Sequence, residues 1–245
     1  MKQSKMTRSL NLKNNGLLNI KNMKSFKYID LITAAFASVL ILSNIASTKI
    51  ASISGISFDG GTILFPLAYI FGDILTEVYG FARARRVIWI GFLMNILMVA
   101  TFYVVGMLPA DPVWGLQESY TNILGVVPRI VLASLAAYLC GEFLNSFVLA
   151  KLKIRTGGKH FWQRAIGSTV VGQLFDTTIF LVIAFANILP WDLIWTIWYV
   201  NVAFKIIVEI VLLPITYRVV AYLKNKEGVD AYDTTTNFSP FKTEV

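Results

Sequence analysis

The stretch Phe65-Pro66-Leu67-Ala68-Tyr69-Ile70-Phe71-Gly72-Asp73-Ile74-Leu75-Thr76-Glu77-Val78-Tyr79-Gly80 decides the fold class. It is apolar enough to read as a membrane span, yet it carries two carboxylates four residues apart. Arg83, Arg85 and Arg86 follow at once. An ionised side chain at the bilayer centre costs about 2.5–3.5 kcal/mol on insertion scales. A segment that keeps Asp73 and Glu77 in spite of that cost points to a polar interior shared with other helices.

The rest of the chain has the same character. Of 245 residues, 56% are hydrophobic and only 15% are charged, against about 25% charged in soluble domains. The mean hydropathy is +0.64. A span takes about 20 apolar residues, and the apolar stretches fall near 28–50, 62–79, 87–108, 126–150, 165–189 and 193–223. The expected fold class is therefore an all-α integral membrane protein, a bundle of six transmembrane helices. Residues 1–27 read as a basic, loosely ordered cytoplasmic tail, 28–223 as the transmembrane domain and 224–245 as a second cytoplasmic tail. The apolar stretch after the first tail is too long for a cleavable signal.

The basic residues orient the bundle. Of the 22 Lys and Arg, 19 lie in the N-terminal tail, the connections near 80–87 and 151–164, and the C-terminal flank. The connections near 51–61, 109–125 and 190–192 contain none. Positive residues stay cytoplasmic, so both termini are expected inside. Trp114, Trp191, Trp195 and Trp198 then fall at the outer boundary, where an amphipathic ring is favoured. The segment 111–122 is expected to form an interfacial turn or short helix outside. A net charge of +8 is explained by this asymmetry and needs no nucleic-acid partner. One cysteine, Cys140, excludes an intrachain disulfide and any multi-cysteine metal site. No cofactor or metal is expected, and the chain does not read as an enzyme.

Five carboxylates lie inside apolar stretches: Asp73, Glu77, Glu142, Asp176 and Glu209. Three cations accompany them: Lys49, Arg129 and Lys205. Each has a bland reading. Lys49 and Arg129 can snorkel outward. Glu77 can meet Arg83 or Arg85 at the interface. Lys205 and Glu209, four apart and of opposite sign, can pair along one helix. Asp73, Glu142 and Asp176 have no cation one turn away, which makes them the sharper functional candidates. Asn44, Asn95, Asn145 and Gln173 add amides. The excess of carboxylates has to be met by protons, water or a ligand rich in N–H donors. Pro66 and Pro214 fall within spans, where each frees a backbone acceptor. Segments 1–3 and 4–6 would form an inverted pair if duplicated, but no residue match supports a repeat.

Several of these motifs stand in one order. Ser43-Asn44-Ile45-Ala46 with Thr48-Lys49 comes first, then 65–80 with its arginines. Gly167-Ser168-Thr169 with Gln173, Asp176 and Thr177 follows. Asn201, Phe204-Lys205, Glu209, Pro214 and Thr216-Tyr217-Arg218 close the series. Over about residues 28–225 the chain resembles the queuosine precursor transporter family, within the vitamin uptake transporter group. The resemblance implies import of 7-deazaguanines across the inner membrane: 7-cyano-7-deazaguanine, 7-aminomethyl-7-deazaguanine or queuine, salvaged for tRNA modification. It also implies a fold like the substrate-binding subunits of energy-coupling-factor vitamin transporters, here with no ATPase partner expected. No phosphate-binding Gly-x-x-x-x-Gly-Lys-Ser/Thr loop is present.

A guanine-like base presents adjacent N–H and NH₂ donors, which a carboxylate accepts in a fork. Glu142 and Asp176, with Asp73 beside them, are expected to read the base. Asn145, Gln173, Asn95 and Asn44 would supply amide contacts. Lys205 would hold the carboxylates in place, and Glu209 is expected to line the substrate site with them. Phe71, Phe175 and Phe204, with Tyr69 and Phe180, are candidates for stacking on the ring. Two other readings remain. One is a substrate-binding subunit serving a separate ATPase. The other is an intramembrane aspartyl enzyme, for which the Gly-x-Gly-Asp pattern fails, since Ile70-Phe71-Gly72-Asp73 stands there. A homodimer stays open.

Overall fold

Apolar runs without an internal breaker form helices, and here Gly and Pro set the ends. A computed structural model describes residues 26–46, 48–53, 56–124, 128–187 and 190–242. Helix α1 spans Ile29–Ala46. A hairpin follows, with β1 (Ile50–Ile53) antiparallel to β2 (Ile56–Asp59) and Ile50 opposite Asp59. A 3₁₀ turn, Gly60–Ile63, leads into α2 (Phe65–Tyr79). Then come α3 (Phe81–Gly106), the short α4 (Gln117–Leu124), α5 (Pro128–Thr156), α6 (Phe161–Phe185) and α7 (Trp191–Glu227).

Among the described residues five helices are long and apolar enough to cross a membrane: α1, α3, α5, α6 and α7. The expected second span is shorter than the others. Helix α2 has 15 residues, about 22 Å at 1.5 Å per residue, against a hydrocarbon core of about 30 Å. It is also the most enclosed, with buried residues from Pro66 to Tyr79 on every side. Pro66 lies in the first turn of α2, where a missing N–H costs nothing, and so does not kink a span. Pro214 does lie inside α7.

Two boundaries extend beyond the hydropathy reading for one reason. Arg and Lys are good helix formers, so a helix runs past its lipid-facing part until a glycine stops it. Arg83, Arg85 and Arg86 are on the first turns of α3, and Lys151, Lys153 and Arg155 on the last turns of α5. The connections shrink to Gly80, at φ 87°, and to residues 157–160, where Gly157 and Gly158 also have positive φ. At the other end α1 stops at Ala46, so Lys49 lies in the exposed turn before β1 rather than in a span. Ser47, the N-terminal tail to residue 25 and the side chain of Arg129 lie outside the described residues.

The segment after α7 is not a free tail. Asp233 accepts the N–H of Phe81 at 2.9 Å, capping α3. Arg85 donates to the carbonyls of Asn237 and Ser239, and Trp89 to that of Pro240. Phe238 packs between Phe81 and Phe147. At the same end, the Glu227 carboxylate accepts the N–H of Lys27 at 3.0 Å and that of Tyr28 at 2.7 Å. The two flanks of the bundle therefore meet.

Candidate functional site

Four helices turn polar faces inward. On α6 the buried Thr169, Gln173 and Thr177 recur at intervals of four, with Gly172 and Asp176 beside them. On α5 the face is Gly141, Glu142, Asn145 and Ser146; on α2 it is Tyr69, Gly72, Asp73, Thr76 and Glu77. Helix α7 adds Lys205 and Glu209. Spacing of three and four keeps each set on one side of its helix, and lipid leaves no other place for such groups.

The polar groups divide into two layers. In the first, Glu77 is surrounded by cations from three helices. Arg164 on α6 grips it with both terminal nitrogens, one of them at 3.1 Å. Lys224 on α7 donates to it at 2.6 Å. Lys153 on α5 stands 3.6 Å from the carboxylate and donates to the Glu77 carbonyl at 2.5 Å. Both lysines also pair with Asp230, Lys224 at 2.9 Å. Arg83 and Arg85, the expected partners of Glu77, bond elsewhere: Arg83 to the Tyr79 carbonyl and Arg85 to the C-terminal segment.

The second layer lies one turn and more deeper. Asn145 donates to Asp73 at 2.8 Å, and Thr169 reaches Asn145 at 3.5 Å. Thr76 bonds Ser146 at 3.0 Å. Lys205 pairs with Asp176 at 2.8 Å, across helices, and not with Glu209 on its own helix. Four carboxylates, Asp73, Glu142, Asp176 and Glu209, thus share this layer with the single described cation Lys205. Both oxygens of Glu142, one of Glu209, Gln173 Oε1, Thr177 Oγ1 and the Tyr69 hydroxyl are buried without a protein hydrogen-bond partner. An unpaired buried polar atom costs about 1–3 kcal/mol, so such a concentration marks a place built for something else to bond.

Glycines bring these groups together. A Cβ at Gly141 would stand 3.1 Å from the Gly172 carbonyl, and one at Gly172 would stand 3.0 Å from the Gly141 carbonyl. The two helices cross backbone to backbone there, as small residues permit. A Cβ at Gly72 would fall on the Glu142 carboxylate.

Of the twelve expected site residues, Asp73, Glu142, Asn145, Gln173, Asp176, Lys205 and Glu209 lie in or beside this layer. Asn44 and Asn95 bond each other at 2.7 Å, joining α1 to α3. Phe71 is half-buried and packs on the apolar core. Phe175 and Phe204 are 50% and 41% exposed on the outer surface; an aromatic side chain there faces lipid and is not placed to stack inside. Tyr69 is buried in the layer, and the Phe65 ring stands 5.8 Å from the Lys205 ammonium. The sequence reading gave Thr177 and Gly72 no site role and passed over Gly141 and Gly172, although these glycines share the helical spacing of the polar residues. It also missed Lys153, Arg164 and Lys224, because it assigned them to loops or flanks.

Residues 59–219, which contain the whole inner layer, match the family described as "Putative vitamin uptake transporter". The chain is 31% identical over 190 residues to the "Probable queuosine precursor transporter" of Bacillus subtilis (strain 168), covering 76% of this chain and 82% of that protein. It is 29% identical over 165 residues to the protein of the same name in Haemophilus influenzae, covering 66% and 68%. The "Queuosine precursor transporter" of Escherichia coli (strain K12) is 29% identical over 147 residues, covering 60% and 64%. No solved structure matches. With its polar layer wholly inside the matched region, this chain belongs to the vitamin uptake transporter family.

Proposed function

We propose that this protein carries queuosine precursors, flat 7-deazaguanine bases, inward across the cytoplasmic membrane. The observation that supports it best is the set of buried, unpartnered acceptors on Glu142, Glu209 and Gln173. A 7-deazaguanine offers N1–H and the 2-amino group side by side, which a carboxylate with two free oxygens accepts together. Glu142 is that carboxylate. Asp176, held by Lys205, and Asp73, held by Asn145, flank it. An aminomethyl substituent would be cationic and would meet the excess negative charge. The relatives' names agree with this cargo.

Six crossings with both termini in the cytoplasm fit best, with α2 completing its crossing through the 3₁₀ turn and hairpin before it. The charge asymmetry supports this, as does the gathering of Lys153, Arg164 and Lys224 at one end. Glu142 is fully buried, so a substrate reaches it only when the helices part, first toward one side and then the other. No ATPase partner is required in this reading.

The test uses cells that cannot make queuosine precursors. Each precursor is supplied at low concentration and queuosine in tRNA is measured with and without the protein. Restoration in a host that also lacks energy-coupling modules is expected. Failure with every precursor would remove the substrate, and success only with coupling modules present would leave a substrate-binding subunit. Glu142→Gln, well expressed, is expected to lose uptake.

A further inference from the structure

Among the described residues six buried side-chain atoms lack a partner, and four of them are amide or carboxylate oxygens, acceptors when the acid is ionised. A donor-rich ligand satisfies them, but a 7-deazaguanine also carries a 6-oxo acceptor next to N1–H. Something must donate to it. Among the unpartnered atoms of the described residues, the hydroxyls of Tyr69 and Thr177 donate whatever the protonation of the carboxylates. A phenol, with a pKa near 10, is the stronger donor of the two.

Tyr69 is also the better placed. It is 3% exposed. Its hydroxyl would lie 2.8 Å from a Cβ at Gly141, the residue before Glu142, and the Asp176 Cβ lies 2.7 Å from that same point. Its ring edge would lie 3.2 Å from a Cβ at Gly172. Two glycines therefore clear the space that the phenol occupies: a side chain at Gly141 would collide with its hydroxyl, and one at Gly172 would press on its ring. The hydroxyl lies at this crossing, against the backbone of the residue before Glu142 and beside the Asp176 side chain, and bonds no protein group. A base whose N1–H and 2-amino group meet Glu142 places its 6-oxo group on the neighbouring side of N1.

We propose that Tyr69 is a specificity-determining residue that donates a hydrogen bond from its hydroxyl to the 6-oxo group of the carried base. This rests on the inner layer being the substrate site. It separates 6-oxo bases from analogues in which that acceptor is weakened, while the carboxylates separate bases by their donors.

The experiment compares initial uptake of a 7-deazaguanine and its 6-thio analogue, which keeps N1–H and the 2-amino group. The native protein is expected to favour the oxo form by about tenfold, the effect of one hydrogen bond. Tyr69→Phe should lower oxo uptake and bring the two forms to within about threefold, at equal protein in the membrane. An undiminished preference in Tyr69→Phe overturns the proposal, as does a native protein that carries both forms equally. No uptake of either form by the native protein instead overturns the substrate reading. If Tyr69→Phe does not fold, 3-fluorotyrosine at position 69 of the otherwise native chain decides. Its fluorine resonance should move when a bound base is shown to be present, and a fixed resonance overturns the proposal.

Discussion

Asp73 and Glu77 lie one turn apart on α2, both buried, yet Glu77 is bound by Arg164, Lys224 and Lys153 while Asp73 is bound by the Asn145 amide at 2.8 Å. Two carboxylates at i and i+4 thus have two environments. One is satisfied by fixed charge, the other is part of a layer with acid in excess.

Their substitutions should separate accordingly. Glu77→Ala leaves three buried or half-buried cations facing one another, and breaking a buried ion pair costs about 3–5 kcal/mol. Loss of a monodisperse, heat-stable species in detergent is expected. Asp73→Asn keeps the size and a hydrogen bond to Asn145, so the protein should stay folded and lose uptake. A stable Glu77→Ala protein would show that the ion cluster does not hold the helices together.

Gly141→Ala tests the helix crossing. The added methyl would meet the Asp176 Cβ at 2.7 Å, the Tyr69 hydroxyl at 2.8 Å and the Gly172 carbonyl at 3.1 Å. Overpacking of this kind costs about 1–3 kcal/mol, and α5 and α6 should move apart. Lower thermal stability together with lost uptake is the expected pair of results, read by melting in detergent and by the tRNA assay.

Asp230 lies beyond the end of α7 and provides a pH dependence. Partial burial pushes its carboxyl up, but hydrogen bonds and charge from Lys153 and Lys224 outweigh this and hold it below the usual carboxylate range. Its folded value is below its unfolded one, so its contribution is complete above the unfolded value of about 4. It disappears as pH falls through the lower, folded value. Asp230→Asn should therefore melt earlier than the native protein at pH 7, and the gap should close as pH drops below about 4. The side chain is 44% exposed, so solvent screening keeps the gap small. A gap unchanged between pH 7 and the acid limit would exclude the ion pair as its source.

Asp233→Ala removes the acceptor for the Phe81 N–H. Loss of an N-cap contact costs about 1 kcal/mol. The segment after α7 should then exchange its amide hydrogens faster, while uptake persists. Unchanged exchange at residues 231–240 would show that Arg85 and Trp89 hold the segment unaided.

The sequence by itself determined the membrane class and many of the polar residues that lie inside the bundle. Each follows from composition and one-dimensional spacing, because lipid penalises charge wherever it is exposed. The segment 111–122, expected as an interfacial turn or short helix, holds the start of the helix Gln117–Leu124. Only the tertiary structure decided which group meets which. Lys205 bonds Asp176, 29 residues away, rather than Glu209 four along. Glu77 takes partners 76 to 147 residues distant, rather than the nearby arginines. Phe175 and Phe204 face outward while Tyr69 faces in. Hydropathy reports that a segment is apolar, but not the azimuth at which its helix is turned. That angle is fixed by the Gly141–Gly172 crossing and by the charges that cannot face lipid.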